Sequence, residues 1–109
     1  MVIREYIQRY LKSKPKVWGA DYRQVPVDKL INEYAAIQQY LLSNCSPGTR
    51  VAIGLTRDYR YFLTLLACMN IGVVFIPLRK EWPGARVSQI RKISGFEVMI
   101  TDRLMDEII

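Results

Sequence analysis

The chain has 109 residues, half of them hydrophobic and 24% charged, with a net charge of +6 and no histidine. That length allows one domain with a modest core, and the balance of apolar to charged residues excludes a disordered chain. The basic residues are scattered singly and never form a run interleaved with aromatics, which argues for a generally basic surface and against a nucleic-acid footprint.

The first segment, Val2 to about Lys12, spaces Ile3, Tyr6, Ile7, Tyr10 and Leu11 as one face of a short amphipathic helix. It has neither the apolar core nor the small-residue cleavage site of a secretory signal, so a cytoplasmic setting is expected. Pro15 ends it. The stretch VWGADYRQVPV then reads as a small hairpin turning around Asp21 and Tyr22. From Pro26 to about Ser43, the residues Val27, Leu30, Ile31, Tyr34, Ala35 and Leu41 form an apolar stripe, with Pro26 suited to a first helical turn.

Beyond Gly48 the pattern alternates. RVAIGL (Arg50 to Leu55) is a short apolar strand, and Asp58 caps a helix running from Tyr59 to about Ile71. The run from Tyr61 to Leu78 is interrupted only by Thr64 and Asn70, and a bilayer core needs about 20 such residues. Gly72 breaks it. A glycine at that point ends a helix in the left-handed conformation, and Val73 to Pro77 then has strand composition, so the run reads as helix, turn and strand without a membrane span. Tyr61, Phe62, Leu65, Leu66, Cys68 and Met69 make the helix apolar nearly all round, which predicts burial. A further helix from about Pro83 to Ser94 and a strand from Glu97 to Thr101 follow. The end, DRLMDEII, opens a last helix whose Leu104, Met105, Ile108 and Ile109 form an apolar face.

Strands at about 50–55, 73–77 and 97–101, separated by helices, indicate an α/β fold of three layers: a short parallel sheet with helices on both faces, plus the small hairpin. Such a sheet leaves edges in need of neighbours. One alternative reading is therefore an interaction module that self-associates, or docks a partner, through the open edge and the last helix. Another is a complete flavodoxin-like domain, but three strands and no phosphate loop fall short of it.

The chemistry-bearing patterns are few. Neither GxGxxG nor GxxxxGK[ST] occurs, no nucleophile triad is possible without histidine, and no carboxylates follow a metal-loop pattern. Cys45 and Cys68 fall in a turn and an apolar helix, a poor disulfide pair. The tyrosines at 34, 40, 59 and 61 and Phe62 are packing residues. Position alone singles out Arg57, Arg79 and Lys80. They follow strand carboxyl ends and precede helix N-termini, where a doubly wound sheet gathers ligands and where anions are favoured.

Several stretches, in order, resemble the N-terminal end of the adenylate-forming superfamily, which includes acyl-CoA synthetases, fatty acyl-AMP ligases, luciferases and nonribosomal peptide synthetase adenylation domains. Val25 to Leu30 is similar in pattern to the family's L-[TS]-Y-x-E-L, and Pro47 to Ile53 to its G-D-R-V-A-I. Met69 to Arg79 (MNIGVVFIPLR) resembles L-K-A-G-x-A-Y-[LV]-P-[LI]-D, with Arg79 standing where the family usually has Asp. Trp82 to Val87 is similar to Y-P-x-x-R-[LI], and Ser94 to Thr101 to S-G-x-x-V-[LV]-[LI]-T. The resemblance implies one partial domain, residues 1–109, forming the N-terminal subdomain of an enzyme that uses ATP and magnesium. Such an enzyme activates a carboxylic or amino acid as acyl-AMP and passes it to a thiol of CoA or of a carrier protein. The family's phosphate loop, its magnesium, adenine and ribose motifs and its mobile lysine have no match here. The resemblance therefore transfers no catalytic, cofactor-binding or metal-binding residue, and this piece is not expected to be catalytic alone. The implied partner is the remainder of the enzyme or a second copy.

Overall fold

The computed structural model describes residues 25–109, together with the backbone of the strand residues 16, 17, 20 and 21. The expected helix from Val2 to Lys12 lies outside the described residues. The hairpin is present: β1 (Lys16–Val17) pairs antiparallel with β2 (Ala20–Asp21), Lys16 opposite Asp21 and Val17 opposite Ala20. Asp21, expected in the turn, instead lies in the second strand.

Helix α1 (Val27–Asn44) buries Leu30, Tyr34, Ile37 and Leu41, an i, i+4, i+7, i+11 stripe. Ile37 belongs to this stripe, whereas Ala35, expected on it, is exposed. Strand β3 (Arg50–Gly54) is the central strand, with Val51, Ala52 and Ile53 inaccessible to solvent. Helix α2 (Tyr59–Ile71) starts at Asp58, whose Oδ1 accepts from the backbone N–H of Arg60 and Tyr61 at 3.0 and 3.3 Å. That bond satisfies donors that have no partner within the helix. Tyr61, Phe62, Leu66 and Cys68 are buried as expected, but Leu65 is only half-buried and Met69, one turn further on the same stripe of the helix, is 62% exposed, because that flank of α2 turns away from the core. Burial also pushes the Cys68 thiol up to about 12, helped by the Cys45 sulfur. Cys45, half-buried at the end of α1, is raised by burial and then by the Glu97 charge.

Gly72 ends α2 with φ +88°, a left-handed conformation that costs a residue with a Cβ about 1–2 kcal/mol. The chain then folds back as β4 (Val74–Pro77), parallel to β3, and no helix among the described residues is long and apolar enough to cross a membrane. Helix α3 (Gly84–Ser94), strand β5 (Val98–Thr101) and helix α4 (Asp102–Ile108) complete the order. The sheet runs β4-β3-β5, all parallel, with Val51 opposite Phe75 and Val98, and Ile53 opposite Pro77 and Ile100.

The layers follow from the alternation along β3. Val51 and Ile53 face a main core built with α1, α2 and Met105 of α4, while Ala52 faces a smaller cluster with Leu78 and Phe96 under α3. The last helix departs from expectation. Its apolar face is not open for docking: Met105 is 2% exposed, Leu104 and Ile108 pack on the main core, and Ile109 alone of the four is exposed.

Replacing Gly72 by alanine places a Cβ on the left-handed residue. The expected outcome is a loss of roughly 1–2 kcal/mol, read as a fall of roughly 5–10 °C in the midpoint of thermal unfolding followed by circular dichroism. An unchanged midpoint would contradict the fold-back at this residue.

Candidate functional site

The carboxyl ends of the three parallel strands open on one side of the molecule. Thr56 and Arg57 follow β3, Arg79, Lys80 and Glu81 follow β4, and Asp102 opens α4 directly after β5. The first two loops enclose an open cleft of about 570 Å³ lined by Leu55, Thr56, Arg57, Leu78, Arg79, Lys80 and Glu81. Arg57, Arg79 and Lys80, separated in sequence, thus meet at one hollow.

Their surroundings limit what that hollow offers an anion. Lys80 Nζ lies 2.7 Å from Asp102 Oδ2 and donates to Thr56 Oγ1 at 2.9 Å. The Thr56 hydroxyl donates to Asp102 Oδ2 at 2.8 Å, and the Thr56 N–H to Oδ1 at 3.0 Å. Lys80 is therefore matched by a carboxylate of the same structure. The Arg57 guanidinium stacks 4.9 Å from the Tyr61 ring centroid, Arg79 is exposed, and Glu81 adds a negative charge to the lining. Arg103, after β5, does not line the cleft.

Burial alone raises the Asp102 carboxyl, but hydrogen bonds from Lys80 and Thr56 and the Lys80 charge outweigh it and hold the group below the ordinary carboxylate range. A carboxylate held ionised in this way is a weak base and does not activate the Thr56 hydroxyl. The trio is a clamp. It joins the loops after β3 and β4 to the start of α4.

A smaller hollow of about 220 Å³ shares Thr56 and Asp102 and adds Asp58, Arg60 and Asp106 over Leu55 and Met105. Behind it Glu33 is 4% exposed and its Oε1 receives Arg60 Nη2 at 2.7 Å, Arg60 Nε at 2.9 Å and the Tyr59 hydroxyl at 3.1 Å. Burial, then the hydrogen bond to and charge of Glu33, raise the Tyr59 hydroxyl, which stays a donor. Among the described residues no group of three or more His, Cys, Asp or Glu side chains is placed to hold a metal ion.

The sequence singled out the three cations but not Asp102, their counterion. The available signal was local: Thr101 Oγ1 accepts from the Leu104 N–H at 3.2 Å, an N-cap followed by an acidic first turn that puts a carboxylate at this strand end.

At neutral pH, Asp102→Asn is expected to lower stability by roughly 1 kcal/mol, a value discounted for the half-exposed setting, and the unfolding midpoint by roughly 5 °C. Because the folded pKa is depressed, this stability is present above the unfolded value of about 3.9 and is lost as pH falls through the folded one. The wild-type and variant midpoints should converge once the pH has fallen below the depressed folded value. A gap that persists there would assign the loss to something other than the charge.

A family model described as AMP-binding enzyme matches residues 10–108. Among solved structures, the Klebsiella oxytoca NpsA N-terminal subdomain in complex with 3-hydroxyanthranilyl-AMSN is similar at a TM-score of 0.69 and 25% identity, over 92% of this chain and 26% of that one. Holo-AB3403, a four-domain nonribosomal peptide synthetase bound to AMP and glycine, is similar at a TM-score of 0.63 and 26% identity, over 71% of this chain and 6% of that one. A plipastatin synthase from Bacillus subtilis is 29% identical over 82 residues, 74% of this chain and 3% of that protein. This chain therefore spans only a small part of each protein it resembles.

Proposed function

Because the chain belongs to the AMP-binding enzyme family, we propose that it forms the N-terminal α/β layer of an adenylation domain of the nonribosomal-peptide-synthetase type. In this reading the larger enzyme activates a carboxylic or amino acid with ATP, releases pyrophosphate and transfers the acyl group to a carrier-protein thiol. CoA as acceptor is the second arm, since the superfamily includes acyl-CoA synthetases. The observation that carries the proposal is a family match over nearly the whole chain, joined to a fold similar to a subdomain solved with an AMSN ligand. The setting proposed is cytoplasmic, in keeping with two free cysteines.

The residues present do not suit a magnesium–ATP site. No glycine-rich phosphate loop occurs, and no metal-ligand cluster exists among the described residues. No chemical step is assigned to this piece, and its role is structural: it supplies the sheet and the clamped carboxyl-end loops. The chain alone is expected to show no carboxylate-dependent exchange of pyrophosphate into ATP. Substituted for its counterpart segment in NpsA, it is expected to support that exchange. Turnover by the chain alone, or a folded chimaera with no exchange, would refute the assignment.

The cleft at Arg57, Arg79 and Lys80 extends the proposal to a weak anion site. Asp102 and Glu81 offset part of its charge, so saturation in the millimolar range, a binding free energy of about −4 kcal/mol, is expected on calorimetric titration with pyrophosphate, ATP or CoA. Titrations that stay flat through that range remove the site.

A further inference from the structure

Three donors converge on one carboxylate at the wall of the larger cleft. Asp102 Oδ1 accepts from the Thr56 backbone N–H at 3.0 Å, and Oδ2 accepts from the Thr56 hydroxyl at 2.8 Å and the Lys80 ammonium at 2.7 Å. An amide, a hydroxyl and an ammonium aimed at adjacent oxygens are also the donors that hold a phosphate or sulfate group, and bonds assisted by charge are the strong ones among them. The carboxylate arrives from the other side of the wall. Lys80 lines the larger cleft, Asp102 lines the smaller hollow, and Thr56 lines both. The donors that Asp102 occupies are therefore the ones the larger cleft presents to an anion entering from solvent.

Resting on the anion reading of that cleft, we propose that Asp102 is its internal occupant: Thr56 and Lys80 bind the chain's own carboxylate in the place of a phosphate-type oxyanion, and accept such an anion when the carboxylate withdraws. Once it withdraws, Glu81 is the remaining carboxylate in the lining beside Arg57, Arg79 and Lys80.

Exposure makes the exchange feasible. The Lys80 and Asp102 side chains are 52% and 44% exposed, so a competing anion reaches the ammonium without a charge being stranded in the interior. Glu33 shows the contrast: it is 4% exposed, and its pairing with Arg60 cannot open in this way. The depressed titration of Asp102 agrees with the fit, because donors that favour the charged form act as an anion site does. A tethered competitor that holds the donors for about nine-tenths of the time raises the apparent dissociation constant of an external anion about tenfold. A clamp with no such role predicts the opposite sign. Its removal would loosen Thr56 and Lys80 and weaken whatever anion the cleft holds.

Calorimetric titration with inorganic pyrophosphate, on the natural chain and on Asp102→Ala, separates the two. The variant is expected to bind about tenfold more tightly, and its Thr56 amide proton resonance to move downfield at saturation, because the anion takes the hydrogen bond that Asp102 leaves. Glu107→Gln removes one negative charge from α4 outside both hollows and is expected to change the affinity by less than about threefold. A gain in Glu107→Gln equal to that in Asp102→Ala, or a gain in Asp102→Ala with an unmoved Thr56 amide, assigns the effect to overall charge and overturns the inference. Binding by the natural chain that is unchanged or weaker in Asp102→Ala also overturns it and leaves the weak site standing. Binding by neither protein removes the site and the inference together, whereas binding by the variant alone supports the inference. Should Asp102→Ala not fold, Asp102→Asn, which keeps an acceptor for the Thr56 N–H and releases Lys80, is titrated in trimethylamine N-oxide, an osmolyte that favours the compact chain, with a gain of at least about threefold expected. Failure to fold there too would make Asp102 indispensable to the fold and overturn its role as an occupant.

Discussion

The architecture depends on one backbone reversal. At Gly72 the chain takes a left-handed turn, its N–H and that of Val73 both reach Cys68 O, and its carbonyl accepts from the Gly48 N–H at 3.0 Å. These bonds satisfy the Cys68 carbonyl in the last turn of α2 and tie the turn to the loop ahead of β3. The longest apolar run in the chain is thereby divided between a helix on the sheet and a strand inside it. Both faces of β3 thereby become core.

The charges near the strand ends differ in how much rests on them. Glu33 is buried, its Oε1 gathers two Arg60 nitrogens and the Tyr59 hydroxyl, and its Oε2 has no partner among the described residues. Removing the arginine from such a pair strands a buried carboxylate at a cost of several kcal/mol, because desolvation is no longer offset. The Thr56–Lys80–Asp102 clamp is half-exposed, so water screens it and its worth is near that of one good hydrogen bond. The first holds α2 onto α1. The second fixes where the loops stand without deciding whether the sheet forms.

Elements with strong period or clear punctuation were legible in the sequence. Asp58, Gly72 and Pro77 mark boundaries through local backbone chemistry, and each does so in the structure. The three-layer arrangement also followed, since short apolar strands between helices demand cover on both faces. The misreadings share a cause. Met69, Ala35 and the terminal helix were judged by residue type, but burial is decided by what lies opposite: Met69 and Ala35 face solvent, while Leu104 and Met105 pack into the main core. At the candidate site the cations were visible because strand ends are predictable. Their partner Asp102 was not, because pairing between loops far apart in sequence depends on strand register.

The two thiols described above stand in contrasting places. Cys68 is sealed inside α2 and resists ionisation, whereas Cys45 is reachable at the end of α1. Only a thiolate attacks an electrophilic dye. Among the described residues, mildly alkaline maleimide labelling of the natural sequence therefore directs a fluorophore to Cys45 alone, giving an optical reporter beside the Pro47 loop without a designed cysteine.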